Sequence, residues 1–238
     1  MRRRDHNPVP VSGAPEDEAP SAPATAPARP GWLPPAPREE RAKRRSPSSL
    51  GEHMEDGGAG LGRELALTRG SAVHLLLEKL AGRPAAQREV LAGRLLAREF
   101  PELASEIAAG ALAEALAVLD APFAAEIFGP DALAEAGMVL ALPAVSAEPM
   151  LGRIDRLLIR PDRVLVVDFK TDARPPVAAE ATPESYLAQL GCYRAALAAL
   201  YPERAVVAAI LWTAGPFLMP LDAEILDRAL VDSTARAP

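Results

Sequence analysis

The 238-residue chain holds one cysteine, Cys192. A lone thiol excludes an internal disulfide, a four-cysteine zinc site and a cysteine-ligated iron–sulfur cluster, and it suits a reducing cytoplasm. Long hydrophobic runs are missing too. The stretch Ala205 to Trp212 falls far short of the ~18–20 residues a membrane span needs, and the N-terminus is rich in Arg and Pro rather than apolar. Neither a membrane segment nor a signal peptide is expected. No G-x-x-x-x-G-K-[ST] loop occurs, so ATP hydrolysis and helicase movement have no phosphate cradle in these residues, and a kinase lacks its glycine-rich phosphate loop. Nor is there a basic excess: 26 Lys+Arg against 32 Asp+Glu leave a net charge of −6. That excludes a protein coating nucleic acid by bulk charge, though not a local basic patch holding a phosphate chain.

What the chain has is a globular balance of 49% hydrophobic and 24% charged residues, enough for one domain plus a tail. Eleven of the 25 prolines fall in the first 50 residues, where branched apolar side chains are scarce. Such a stretch cannot offset its ordering entropy, so residues 1–46 are expected to form a disordered Pro/Ala-rich leader and residues 47–238 the folded domain. Within the leader Trp32 and Leu33 are the docking candidates. The run Arg38 to Arg45 reads as solvated linker, with a phosphate-binding arm as the alternative.

After a glycine-rich break at Gly57–Gly62, the period becomes 3.6 from Gly70: Val73, Leu76, Leu77 and Leu80 share one helical face, His74 and Glu78 another. Ala86–Phe100 and Glu102–Leu119 read as further helices divided by Pro101. Then the pattern turns to strands, at Leu133–Leu142, Glu148–Ile159 and Arg163–Lys170. A helix over Pro183–Tyr201, strands Ala205–Thr213 and Phe217–Leu221, and a closing helix over Asp222–Val231 complete the order. This is an α/β chain with a mixed sheet and helices on its faces.

The chemistry concentrates in Gly152-Arg153-Ile154-Asp155 and Val167-Asp168-Phe169-Lys170. Strand alternation sends Asp168 and Lys170 to one face. If the hairpin turns about Pro161-Asp162, residue 160 faces 163 and Asp155 lies opposite Asp168. Facing carboxylates repel unless a cation lies between them, and hard oxygen ligands suit Mg²⁺ or Mn²⁺. Lys170 would then point at a metal-bound water. The competing reading is a surface salt-bridge ladder, which leaves charged residues closing an apolar strand without a task.

These strings resemble the PD-(D/E)XK nuclease superfamily in its RecB-like branch, with Gly152-Arg153-Ile154-Asp155-Arg156 as the first acidic motif and Asp168-Phe169-Lys170-Thr171 as the second. Gly70-x-x-x-His74 resembles the branch's upstream helix, and Gln189-Leu190-Gly191-Cys192-Tyr193 its Q-L-x-x-Y helix. The resemblance implies a restriction-endonuclease-like fold. It implies Mg²⁺, or Mn²⁺, held by His74, Asp155, Asp168 and the Phe169 carbonyl, with Lys170, Gln189 and Tyr193 acting on the attacking water or a substrate phosphate. Arg156 is a candidate phosphate contact, with pairing to an acid preferred. Glu135 and Glu148 are candidate accessory acids, with ordinary surface roles preferred. Trp32 to Pro37, Ser46-Pro47-Ser48, Phe128-Gly129-Pro130 and Leu211-Trp212-Thr213 look most like the C-terminal nuclease domain of AddA-type helicase-nuclease subunits of double-strand break repair. That likeness implies a DNA substrate, single-stranded or at DNA ends, an AddB-type subunit or helicase motor as partner, and a cytoplasmic location. The alternative is a catalytically idle nuclease fold that docks DNA ends or subunits.

Overall fold

The computed structural model describes residues 46–49 and 61–235. The expected leader, with Trp32, Leu33 and the Arg38–Arg45 run, lies outside the described residues, as does most of the Gly57–Gly62 break. A 3-10 turn, Pro47–Ser49, packs against the helix Glu184–Leu200 and the strand Met150–Ile159. The elements that follow are α1 (Leu61–Leu80), α2 (Ala85–Glu99), α3 (Ser105–Leu119), the one-turn α4 (Ala124–Ile127), β1 (Ala132–Leu140), β2 (Met150–Ile159), β3 (Arg163–Lys170), α5 (Glu184–Leu200), β4 (Ala205–Trp212), β5 (Phe217–Leu221) and α6 (Ala223–Ala235).

Helix α1 starts nine residues before the periodic stretch. Residues 62–67 are exposed, so the helix carries no apolar stripe until Gly70, Ala72 and Val73 meet the core. Helix α3 begins at Ser105 rather than Glu102, and the single turn of α4 was too short to leave a period.

The five strands form one sheet in the order β1-β2-β3-β4-β5. Only β3 and β4 run parallel, joined through α5. Helices α1 to α3 cover one core, where Leu76, Leu77, Val118 and Ile127 meet Leu158, Val167 and Leu211. Helices α5 and α6 cover the other, built on Ile154, Val166, Ile210 and Trp212 with Leu190 and Leu197. A five-stranded mixed sheet between helices is the restriction-endonuclease-like arrangement expected from the motifs.

The hairpin closes as read: Arg160 N–H donates to the Arg163 carbonyl at 2.8 Å, and Arg156 faces Val167 while Ile159 faces Val164. That register would put Asp155 opposite Asp168, but the ladder stops one residue short of it. On its other side β2 pairs with β1 through Ala134↔Arg156 and Ala136↔Ile154, skipping Glu135 and Asp155. Glu135 stands there with φ +50, a left-handed conformation that a β-carbon disfavours. The sheet is therefore interrupted on both sides of Asp155.

Candidate active site

Asp155 is buried, and its carboxylate replaces the missing strand pairing. Oδ2 accepts a hydrogen bond from the Phe169 backbone N–H at 2.6 Å. Oδ1 lies 3.2 Å from Nδ1 of His74, which α1 brings down over the sheet. The imidazole meets the Phe169 ring edge-on at 5.5 Å between centroids, which fixes its tilt. Glu135 reaches the same point from β1: one ligand atom each from His74, Glu135 and Asp155 lie within 4.8 Å of one another. Glu135 also makes an ion pair with the exposed Arg153 at 3.3 Å.

Asp168 sits beside this cluster, 3% exposed. Its Oδ1 accepts from Gln189 Nε2 at 3.0 Å, and its Oδ2 is 2.9 Å from Lys170 Nζ. The latter contact is an ion pair without hydrogen-bond geometry, so Oδ2 is a buried acceptor with no donor among the described residues. Lys170 donates instead to Gln189 Oε1 at 2.9 Å, and its ammonium rests 4.0 Å from the centre of the Tyr186 ring. The Tyr186 hydroxyl is 3.2 Å from both carboxylate oxygens of Asp172. One cavity of about 730 Å³ takes in His74, Glu135, Asp155, Asp168, Phe169, Lys170, Tyr186 and Gln189, together with Glu78, Glu99, Arg153 and Asp172.

Charge crowding and burial shift the ionisable groups. Burial alone would lower the His74 imidazole, but the hydrogen bond and charge of Asp155, aided by the charge of Asp168, outweigh it and hold His74 above its ordinary value. Burial raises the Asp168 carboxyl; Lys170 opposes the rise and Asp155 adds to it. Glu135 is also raised, first by burial and then by Asp155, against the pull of Arg153. The donor set fits a hard divalent cation: two carboxylates that repel each other and one imidazole, next to a buried Asp168 oxygen that accepts no hydrogen bond among the described residues.

Several expected residues stand elsewhere. Tyr193 is 2% exposed and does not line this cavity. Its hydroxyl donates to the Arg153 carbonyl at 2.8 Å and receives the Arg153 N–H at 3.2 Å, so it pins β2 to α5, and burial pushes its phenol up to about 12. The fit is tight: a β-carbon on Gly152 would meet Tyr193 Cε1 at 2.6 Å and Leu140 Cδ1 at 2.7 Å. Among the described residues Arg156 neither faces the cavity nor pairs with an acid. It is buried, donates to the Leu77 carbonyl at 2.9 Å and stacks over Phe128 at 4.8 Å. For Phe169 the structure shows an N–H bound to Asp155 and a ring between His74 and Phe128 at 5.8 Å from the latter. Glu148 is exposed in the β1–β2 loop, away from the cluster. Cys192 is buried and inert, its thiol raised to about 12 by that burial.

Two features escaped the sequence. Tyr186 precedes Gln189 by three positions, so α5 carries both to one end, a helical spacing already present in the sequence. Glu114 on α3 accepts from Arg69 and from Thr213 Oγ1, while Thr213 N–H donates to the Lys170 carbonyl at 3.0 Å. This chain of contacts ties the end of β3 to α1 and α3. Gly70 permits the closeness, since a β-carbon there would stand 2.9 Å from Thr171 Oγ1.

Comparison with known proteins agrees with this geometry. The model of the PD-(D/E)XK nuclease superfamily matches residues 52–235. No curated protein matches the chain. Among solved structures, one titled "Crystal structure of SSO0001" aligns over 76% of this chain and 88% of its own at 12% identity, with a TM-score of 0.30, too slight a likeness to carry weight.

Proposed function

We propose, given that this chain belongs to the PD-(D/E)XK nuclease superfamily, that it is a Mg²⁺-dependent deoxyribonuclease module acting exonucleolytically on DNA ends or single strands. The family is one of metal-dependent nucleases, and the observation that carries the reading is the meeting of His74, Glu135 and Asp155 beside the Asp168–Lys170–Gln189 chain in one cavity. His74, Glu135 and Asp155 would hold the cation, with Asp168 at its flank. A bound divalent ion supplies Lewis-acid polarisation of a phosphate oxygen and lowers the pKa of water.

The chain's own groups do the rest. Lys170 offers its ammonium to the phosphate as charge builds on the equatorial oxygens, where it counts more than in the ground state. Gln189 holds both Lys170 and Asp168, fixing their separation. The Phe169 N–H keeps Asp155 turned inward. Hydrolysis adds the water's hydroxyl to phosphorus, and the sugar oxygen leaves with a proton.

The fuller reading is a nuclease module of a double-strand break repair helicase-nuclease, with its motor elsewhere and an AddB-type partner, working in the cytoplasm. No described helix is long and apolar enough to cross a membrane. The second reading, an idle docking platform, is disfavoured by the repulsion that Glu135, Asp155 and Asp168 impose without a cation. End-labelled single- and double-stranded DNA, incubated with Mg²⁺ or with EDTA, tests the proposal. Cleavage in Mg²⁺ alone is expected; binding without cleavage in any divalent ion would select the platform.

A further inference from the structure

We infer that Tyr186 is a positioning residue for Lys170, its ring face holding the ammonium in the one orientation from which it reaches a substrate phosphate. The inference rests on the nuclease reading above. Among the described residues Lys170 Nζ has three polar or aromatic contacts: a hydrogen bond to Gln189 at 2.9 Å, an ion contact to Asp168 at 2.9 Å, and the Tyr186 ring at 4.0 Å. The first two come from Gln189 and Asp168, which line the same cavity as the ring. A ring face attracts a cation without occupying a particular N–H, so it adds a third restraint on the ammonium and leaves a donor for the phosphate.

The ring is itself held. Asp172 takes the hydroxyl with both oxygens at 3.2 Å, and Trp212 meets the ring at 6.2 Å between centroids, tilted 50°. Burial and the Asp172 charge raise the phenol's pKa, which keeps it a neutral donor to Asp172. Lys170 is 15% exposed at its side chain, so the cation–aromatic contact is largely desolvated, where it is strongest.

The chain has three lysines, Lys43, Lys79 and Lys170, so their ε-methylene signals are resolvable by NMR in lysine-labelled protein, and Lys170→Arg assigns the third by its loss. Over the Tyr186 face the Lys170 signal is expected upfield of the other two. Tyr186→Leu should abolish that displacement and lower kcat on a single-stranded oligonucleotide about tenfold, with KM and Mn²⁺ affinity unchanged and only the modest fall in Tm that losing a ring packed on Trp212 brings. Tyr186→Phe, which keeps the ring, should restore both the displacement and kcat to within about threefold.

An unshifted Lys170 signal in the parent, or a Phe variant as slow as the Leu variant, overturns the inference. So does a Leu variant whose loss appears in KM or Tm alone. If the parent cleaves nothing, the nuclease reading falls, and the NMR displacement still decides whether Tyr186 positions Lys170.

Discussion

Replacing Glu135 by glycine separates the two things that residue does. With φ +50, Glu135 carries a left-handed backbone that costs an L-residue about 1–2 kcal/mol. Its carboxylate also stands against Asp155. Glycine removes both penalties and adds a backbone entropy cost of about 0.5–1 kcal/mol. The ion pair with Arg153 subtracts little, because that arginine is 73% exposed at its side chain. In metal-free buffer Glu135→Gly should therefore be as stable as the parent or up to about 1 kcal/mol more so, a rise in Tm of about 0–4 °C. With Mn²⁺ the sign reverses. Losing one carboxylate should weaken the ion about tenfold or more, and each tenfold forfeits about 1.4 kcal/mol of the stabilisation that bound ligand confers. Thermal unfolding with EDTA and with millimolar Mn²⁺, paired with calorimetric titration, reads both signs. A variant less stable than the parent in EDTA would assign Glu135 a structural role. A variant that Mn²⁺ protects as well as the parent would remove it from the ligand set.

Three further expectations follow from the same geometry. Lys170→Ala should leave Mn²⁺ binding intact while lowering kcat by about 10² or more, and equal cleavage at saturating Mg²⁺ would refute the role given to the ammonium. Gly152→Ala forces a β-carbon into Tyr193 and Leu140 and should cost about 1–3 kcal/mol in urea unfolding; an unchanged midpoint would contradict the packing described. His74, Glu135 and Asp168 all titrate above their ordinary values, so the metal-free fold binds more protons than the unfolded chain. The His74 contribution is full below about pH 6.5 and is lost as pH rises through its raised folded value, while the two raised acids cost least when protonated. Metal-free Tm should thus rise from pH 8 toward pH 6, and saturating Mg²⁺, which needs the deprotonated groups, should flatten or invert that slope. A metal-free Tm falling steadily over the same interval would contradict it.

The element order, the mixed sheet and the hairpin register were legible because each depends on local periodicity and on a two-residue turn: Val164 to Val167 can only be a buried strand, and Arg160 facing Arg163 sets the rest. His74, Asp155, Asp168, Lys170 and Gln189 were legible as motif positions, and the cavity they line is common to all five. What the register could not carry was the interruption at Asp155. Pairing rules assume a continuous ladder, whereas here the carboxylate itself takes the Phe169 N–H and the strands part around it. Glu135 looked like a surface acid for the same reason, since its reach toward His74 depends on a backbone angle that no residue pattern announces. Tyr193 and Arg156 went the other way. Their types suit phosphate, but helix α5 lies so close on Gly152, and α1 so close on β2, that backbone carbonyls claim the hydroxyl and the guanidinium first. Sequence determined which groups are available and on which elements. Which of them meet was decided by packing distances between elements far apart in the chain, where a few tenths of an ångström divide a cavity wall from a buried strut.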